Sequence, residues 1–237
     1  KDLQPFFLTA NHCFSTQASA ASLEARFDFR TTSCNGSNNP GVILINGSNL
    51  IATNSQSDFT LVLLHANPAL PRWYLGWTTG APSNLSTLHS VHHPGGQRQR
   101  YTRLTLYTSP THTCASRPTT HYHYSRNTVG ESFGGSSGAP VVNASNQVIG
   151  QNWGRCFQTG SNNCDYSTYH VVWGKWSSSY SNNNLQFWLG SSPGAQVTMS
   201  TSPASTLNFG TRDVGSHTNL NVTVTNTGTV PNFLNLE

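Results

Sequence analysis

The chain has 237 residues, of which 8% are charged and 35% hydrophobic, with a formal charge of +4. Its 6 Trp, 8 Tyr and 11 Phe can fill a core, which excludes a disordered segment, and its 12 Lys plus Arg and 8 Asp plus Glu are too few for a coiled coil or long helical bundle. No run of about 18 apolar residues offers a membrane span, and the dispersed basic residues, densest at Arg98, Arg100 and Arg103, lack the concentrated patch of a nucleic-acid footprint.

The chain opens on a polar-to-apolar strand edge, Lys1-Asp2-Leu3-Gln4-Pro5-Phe6-Phe7-Leu8, with no signal peptide in view. Short apolar runs then recur at 5–9, 23–29, 41–45, 59–64, 72–77, 103–107, 140–142, 147–153, 169–173 and 185–189. Turn chemistry separates them, as at Asn35-Gly36, Asn39-Pro40-Gly41, Asn46-Gly47, Pro94-Gly95-Gly96 and Ser161-Asn162-Asn163, and the pattern predicts an antiparallel sandwich or barrel. Helix signals are confined to two short segments, 17–25 and 182–189. Composition shifts at Ser191-Ser192-Pro193-Gly194, and the strict alternation from Leu220 to Thr227 predicts a half-buried strand beyond it. We therefore expect one domain over 1–192, a Ser/Thr linker over 193–204 and a cut-off second domain over 205–237.

Three local motifs carry chemistry. Leu8-Thr9-Ala10-Asn11-His12-Cys13 ends a strand in a histidine, Ser57-Asp58-Phe59-Thr60-Leu61 opens the most apolar run with an acid, and Gly134-Gly135-Ser136-Ser137-Gly138-Ala139-Pro140 is a glycine-rich serine loop. Each alone is commonly structural. In the order His, Asp, Ser they supply the base, orienter and nucleophile of acyl transfer.

Here the sequence resembles the trypsin-like serine peptidases, whose motifs are T-A-x-H-C, a D-x-(A/T)-L-L strand and G-x-S-G-x-P. Within them it is most similar to the bacterial lysyl endopeptidase group, through Ser57-Asp58-Phe59-Thr60-Leu61, His92-His93-Pro94 and Gly135-Ser136-Ser137-Gly138. The resemblance covers residues 5 to about 190 and implies an all-β, double antiparallel β-barrel of the chymotrypsin type. It implies His12, Asp58 and Ser137 as catalytic residues, and the N–H groups of Gly135 and Ser137 as the oxyanion hole. Trypsin has an acid just before the nucleophile that pairs with a newly cut N-terminus. Ser136 stands there, so the oxyanion loop is expected to be ordered without that switch.

Asn152, Trp153 and Gly154 match the substrate-pairing strand, and Asn152 stands where glutamyl endopeptidases carry the His that neutralises an acidic substrate. Two acids, Asp165 first and Glu131 second, are the candidates to attract a Lys or Arg side chain. The clusters His89, His92, His93 and His112, His121, His123 have no Cys or carboxylate at finger-like spacing, so neither metal nor cofactor is expected.

The five cysteines fit an oxidising, extracellular setting. By the resemblance, Cys13, Cys34 and Cys156 match positions bridged to cysteines on strands that would precede residue 1, so a clipped first barrel is expected. Within the chain Cys13–Cys34 and Cys156–Cys164 are conceivable, and connectivity stays open. The segments Leu207-Asn208-Phe209-Gly210, Val214-Gly215 and 222–229 resemble the start of Ig-like repeats of the choice-of-anchor or Hydin type, hence a truncated Ig-like β-sandwich. The expectation is a secreted or surface-associated, monomeric serine endopeptidase acting on protein or peptide substrates after Lys or Arg. The rival is a non-catalytic, protease-like adhesion module.

Overall fold

The structure, a computed structural model, describes residues 4–34, 36–39, 41–68, 74–158, 165–190, 199–202 and 223–226. The expected turn at 161–163, Cys164, the opening Lys1-Asp2-Leu3, most of the linker, and the segments Leu207–Gly210 and Val214-Gly215 lie outside them. The chain divides into two compact units, Lys1–Asn183 and Asn184–Glu237, a division earlier than the boundary expected near 193.

In the first unit the strands run β1 (Phe6–Ala10), β2 (Glu24–Phe27), β3 (Ile43–Asn46), β4 (Ser48–Asn54) and β5 (Phe59–Leu64), with a single-turn helix α1 (Gln17–Ala21) after β1. The most apolar run, β5, is buried almost throughout and takes the centre of an antiparallel sheet of order β1-β5-β4. A separate ribbon, β2–β3, covers it, and Ala20, Ala25, Ile45, Val62 and Leu64 form their common core.

The next six strands are β6 (Thr87–His92), β7 (Arg100–Tyr107), β8 (Tyr122–Val129), β9 (Pro140–Val142), β10 (Val148–Phe157) and β11 (Tyr169–Lys175). They close into an antiparallel barrel of order β10-β11-β8-β7-β6-β9, which leaves no free edge in that half. Leu88, Leu104, Leu106, Val141, Ile149, Val171 and Trp173 fill it. The all-β class is thus as expected, with one closed barrel and, in the first half, strands arranged as two sheets among the described residues. Helix α2 (Trp176–Asn182) ends the unit. In the second unit the expected apolar strand 185–189 is instead the one-turn helix α3 (Gln186–Leu189), as the alternative helical signal had it, and β12 (Met199–Ser202) pairs with β13 (Thr223–Asn226).

One cysteine expectation is corrected. Cys156 bonds to Cys114, with Cα atoms 5.7 Å apart, and so neither to a cysteine on an earlier strand, as the resemblance implied, nor to Cys164. Cys156 is buried on the face of β10 away from the barrel core, against Tyr122, Tyr124 and Val172, and the segment before β8 delivers Cys114 to that cluster. Cys13 and Cys34 are both free and exposed, so they are not joined to each other.

The barrel buries two histidines, His92 and His170. Burial pushes each imidazole down from 6.5 to about 4, helped by the neighbouring His93 for His92 and by Arg126 and His112 for His170. A group so depressed contributes stability that is complete above pH 6.5 and is lost as pH falls toward 4, because the unfolded chain binds the proton first. Each ring represents on the order of a few kcal/mol. The midpoint of thermal unfolding, followed by circular dichroism, is therefore expected to fall steadily from pH 6.5 to 4. A flat profile would contradict the burial argument.

Candidate active site

The pairing of β1 with β5 brings the first two motif residues together. Ala10 sits opposite Phe59, so the residues just beyond those ends, His12 and Asp58, meet across the sheet edge. Asp58 is 3% exposed and adopts a left-handed backbone with φ of 56°, which an aspartate tolerates better than most residues. Its carbonyl accepts from the Asn11 N–H at 3.0 Å. Its carboxylate accepts from the His12 N–H at 2.9 Å through Oδ1 and from His12 Nδ1 at 2.7 Å through Oδ2. Strand β10 and helix α2 hold the preceding residue: the Ser57 carbonyl accepts from Gln151 Nε2 at 2.6 Å, and Ser57 Oγ bonds Ser179 Oγ at 2.9 Å. Gly174 is required at that contact, since a Cβ there would stand 1.8 Å from the Ser57 carbonyl oxygen.

Ser137 comes from the loop between β8 and β9, and its Oγ lies 2.8 Å from His12 Nε2. The loop can approach because Gly138, at φ of 78°, has no side chain: a Cβ would stand 2.4 Å from Thr9 Oγ1 and 2.8 Å from the Ala10 nitrogen. Asp58, His12 and Ser137 therefore form one hydrogen-bonded series built from β5, β1 and the barrel loop. The carboxylate at Nδ1, with a smaller part from Cys13, raises the His12 imidazole well above its usual 6.5.

A turn after β6 holds the loop from behind. The Gly95 N–H donates to the Gly134 carbonyl at 2.6 Å. Buried His92 hydrogen-bonds Ser136 Oγ at 2.8 Å through Nδ1 and Thr102 Oγ1 at 2.5 Å through Nε2. Gly135 has φ of 93° and packs on this turn, where a Cβ would stand 2.8 Å from the Gly95 nitrogen. Among the described residues, the Gly135 and Ser137 N–H groups donate to no protein acceptor. Sequence reading put His92-His93-Pro94 near the site but missed its bond to Ser136, because the two are joined only by folding.

Beside Ser137 lies a cavity of about 580 Å³. Glu131, Asn152, Trp153 and Gly154, the residues proposed from sequence to bind substrate, are among those that line it. Asp165, the first candidate for the pocket acid, is not among the residues that line it. It is exposed in the turn before β11, where its carboxylate accepts from the Ser167 N–H and Oγ, bonds that lower its pKa. Arg155 also lines the cavity and pairs with Glu131 at 3.2 Å. Its signal was a lone charge inside the otherwise uncharged strand β10.

The family model for the C-terminal domain of lysyl endopeptidase matches residues 1–170. A lysyl endopeptidase of Pseudomonas aeruginosa is 32% identical over 101 residues, which is 41% of this chain and 22% of that protein. Among solved structures, Rv3671c from M. tuberculosis H37Rv, in an inactive form, overlaps 73% of this chain and 72% of its own, at 14% identity and a TM-score of 0.43. The MamO protease domain from Magnetospirillum magneticum overlaps 76% and 82%, at 10% identity and a TM-score of 0.48. At such scores these two likenesses add nothing to the fold read from the strands. With most of its length matched by the family model, the chain belongs to the lysyl endopeptidase C-terminal domain family, a family of serine peptidases.

Proposed function

We propose that the chain is the catalytic part of a secreted serine endopeptidase that hydrolyses protein or peptide substrates through an acyl-enzyme. The observation that carries this is the unbroken series from Asp58 Oδ2 to His12 Nδ1 at 2.7 Å and from His12 Nε2 to Ser137 Oγ at 2.8 Å. A serine hydroxyl is a weak nucleophile, so His12 takes its proton as Oγ attacks the carbonyl and returns it to the leaving amine. Asp58 keeps the Nδ1 proton in place, leaving Nε2 as the acceptor, and stabilises the imidazolium. The Gly135 and Ser137 N–H groups, uncommitted to protein acceptors, stabilise the oxyanion. The family supports peptide-bond hydrolysis, and the Cys114–Cys156 bond supports an oxidising, extracellular location. We read the chain as a monomer with a peptidase domain ending near the end of the first unit. The β12–β13 pair is compatible with an Ig-like segment beyond it.

Cleavage after Lys or Arg does not follow from either expected acid. Asp165 stands outside the cavity, and Glu131 is already paired with Arg155.

Rapid mixing with an activated ester tests the acyl-enzyme: a burst of leaving group equal to one per chain is expected, and linear release from time zero would contradict it. The His92–Ser136 bond takes the place of an N-terminal ion pair in holding the oxyanion loop. Ser136→Ala is therefore expected to lower kcat about tenfold with little change in KM, a loss smaller than that from removing an oxyanion donor itself. Steady-state kinetics checks this. A change in KM alone would assign Ser136 to substrate binding.

A further inference from the structure

The loop that carries Ser137 lines the cavity through Phe133 and Gly134, and it also packs on the turn 93–96, where a Cβ on Gly135 would stand 3.0 Å from the His93 carbonyl oxygen. A substrate whose acyl half lies along β10 and the cavity carries its leaving half across Ser137 and away from them, toward that turn. Side chains from both halves of the first unit meet there. The rings of His93 and Phe29 have centres 5.7 Å apart, and the Arg98 guanidinium lies 3.9 Å from the centre of the Phe29 ring. Two bonds hold this stack: Arg98 Nε donates to Asn38 Oδ1 at 2.8 Å, and the Gln99 N–H donates to the Phe29 carbonyl at 3.2 Å.

The cation of the stack has no anion of its own. Among the described residues, Glu24, Asp28, Asp58 and Glu131 pair with Arg26, Arg30, His12 and Arg155, and the Asp165 carboxylate is held by Ser167. Neither Arg98 nor the exposed Arg100, two residues on, has a carboxylate partner among them. Arg98 Nη1 is covered and makes no hydrogen bond among the described residues, so Nε alone ties this guanidinium to the protein.

A guanidinium laid on a ring and tied by Nε is placed before a ligand arrives, and it gives up little freedom on taking a carboxylate. Arg100 adds a second positive charge within two extended residues, about 7 Å of chain. Two cations are too few for a nucleic-acid footprint and suit a single acidic side chain.

We propose that the Phe29–His93–Arg98 stack, with Arg100, is an exosite that takes an aspartate or glutamate of the substrate on the leaving side of the cleaved bond. The contacts from Gly135 through His93 and Phe29 to Arg98 put the cation within reach of about five extended residues. The proposal rests on the peptidase reading and is independent of the side chain that fills the cavity.

Quenched fluorescent peptides test it on the full chain, with one acyl half throughout and aspartate, alanine or lysine placed in turn at the second to fifth residue after the cut. Pairs between exposed charges are weak, so at one or two adjacent positions aspartate is expected to exceed alanine by about threefold in kcat/KM and lysine by about tenfold. The steps should vanish in 1 M salt, where the screening length is about 3 Å. Arg98→Met keeps the stem on Phe29 and should bring the aspartate peptide down to the alanine peptide. Arg100→Gln, at an exposed position, should narrow the same step and keeps the test available if the first variant does not fold. Equal rates for the three peptides in the wild type would overturn the proposal. So would a loss in both variants that leaves the ratio of aspartate to alanine as it was, since that is the mark of a merely structural clamp. A fluorophosphonate probe on the same preparations separates the two readings: a folded chain that takes no label and cleaves nothing defeats the peptidase reading and the exosite with it, whereas a labelled chain indifferent to the leaving side defeats the exosite alone.

Discussion

Replacing Ser137 with alanine is expected to lower kcat by about six orders of magnitude, with KM little changed. The side chain removed is the group that would attack the carbonyl, and it stands 2.8 Å from His12 Nε2, at hydrogen-bond distance from its base. Stability should hardly respond, because Ser137 is only partly buried and Oγ has no structural duty beyond the bond to His12. What survives should be the modest acceleration that binding and the oxyanion N–H groups supply alone, about three orders over water in related triads. Kinetics on a cleaved peptide, with circular dichroism to verify the fold, checks the prediction. A Ser137→Ala protein that keeps activity within tenfold of wild type would remove this serine from the chemistry.

Asp58→Asn is expected to lower kcat by about four orders of magnitude. Asparagine tolerates the φ of 56° at this position, so the substitution tests chemistry more than backbone strain. Its amide can donate to Nδ1 where the carboxylate only accepts, which favours the tautomer with the proton on Nε2, the wrong nitrogen. The pH profile adds a second readout. His12 must be neutral to accept the serine proton, and Asp58 is the largest cause of its raised pKa. The acid limb of kcat/KM in the wild type should therefore have its midpoint above 6.5, and Asp58→Asn should move it down. An acid limb that stays in place would show that Asp58 does not govern the imidazole.

The candidate triad could be read because each member lies in a short stretch whose character is local. The pairing of β1 with β5 then sets two of the motifs side by side. The barrel strands were harder. In β6 the inward positions are Leu88, Ser90 and His92, and in β8 they are Ser125 and Asn127, while Tyr122 and Tyr124 are buried on the opposite face. Polar inward residues break the apolar alternation by which a strand is recognised, although folding satisfies several of them, as when Ser125 Oγ accepts from the Trp173 indole at 2.7 Å. Cys114 and Cys156 are 42 residues apart, and nothing local marks them as partners before β8 and β10 take their places in the barrel. Arg155 was passed over for the same reason. Its role is set by Glu131, which reaches the cavity from a different loop. Around Asp165 the neighbouring residues form a turn in which the Ser167 N–H and hydroxyl bond its carboxylate, a local partnership that the motif alone does not reveal.

These differences have one physical origin. Motif chemistry is carried by neighbours in sequence, whereas specificity and support come from pairs that the barrel brings together. The family likewise informs the mechanism more than the pocket, because the match to the Pseudomonas aeruginosa enzyme spans only 22% of that protein.

The central claim is that Ser137 is an activated nucleophile. Labelling the full chain with a fluorophosphonate and mapping the modified peptide tests it most directly. The account predicts one label per chain on Ser137, lost in His12→Ala and Ser137→Ala. A folded chain that takes no label, or takes it elsewhere, would contradict the account and favour a protease-like module without catalysis.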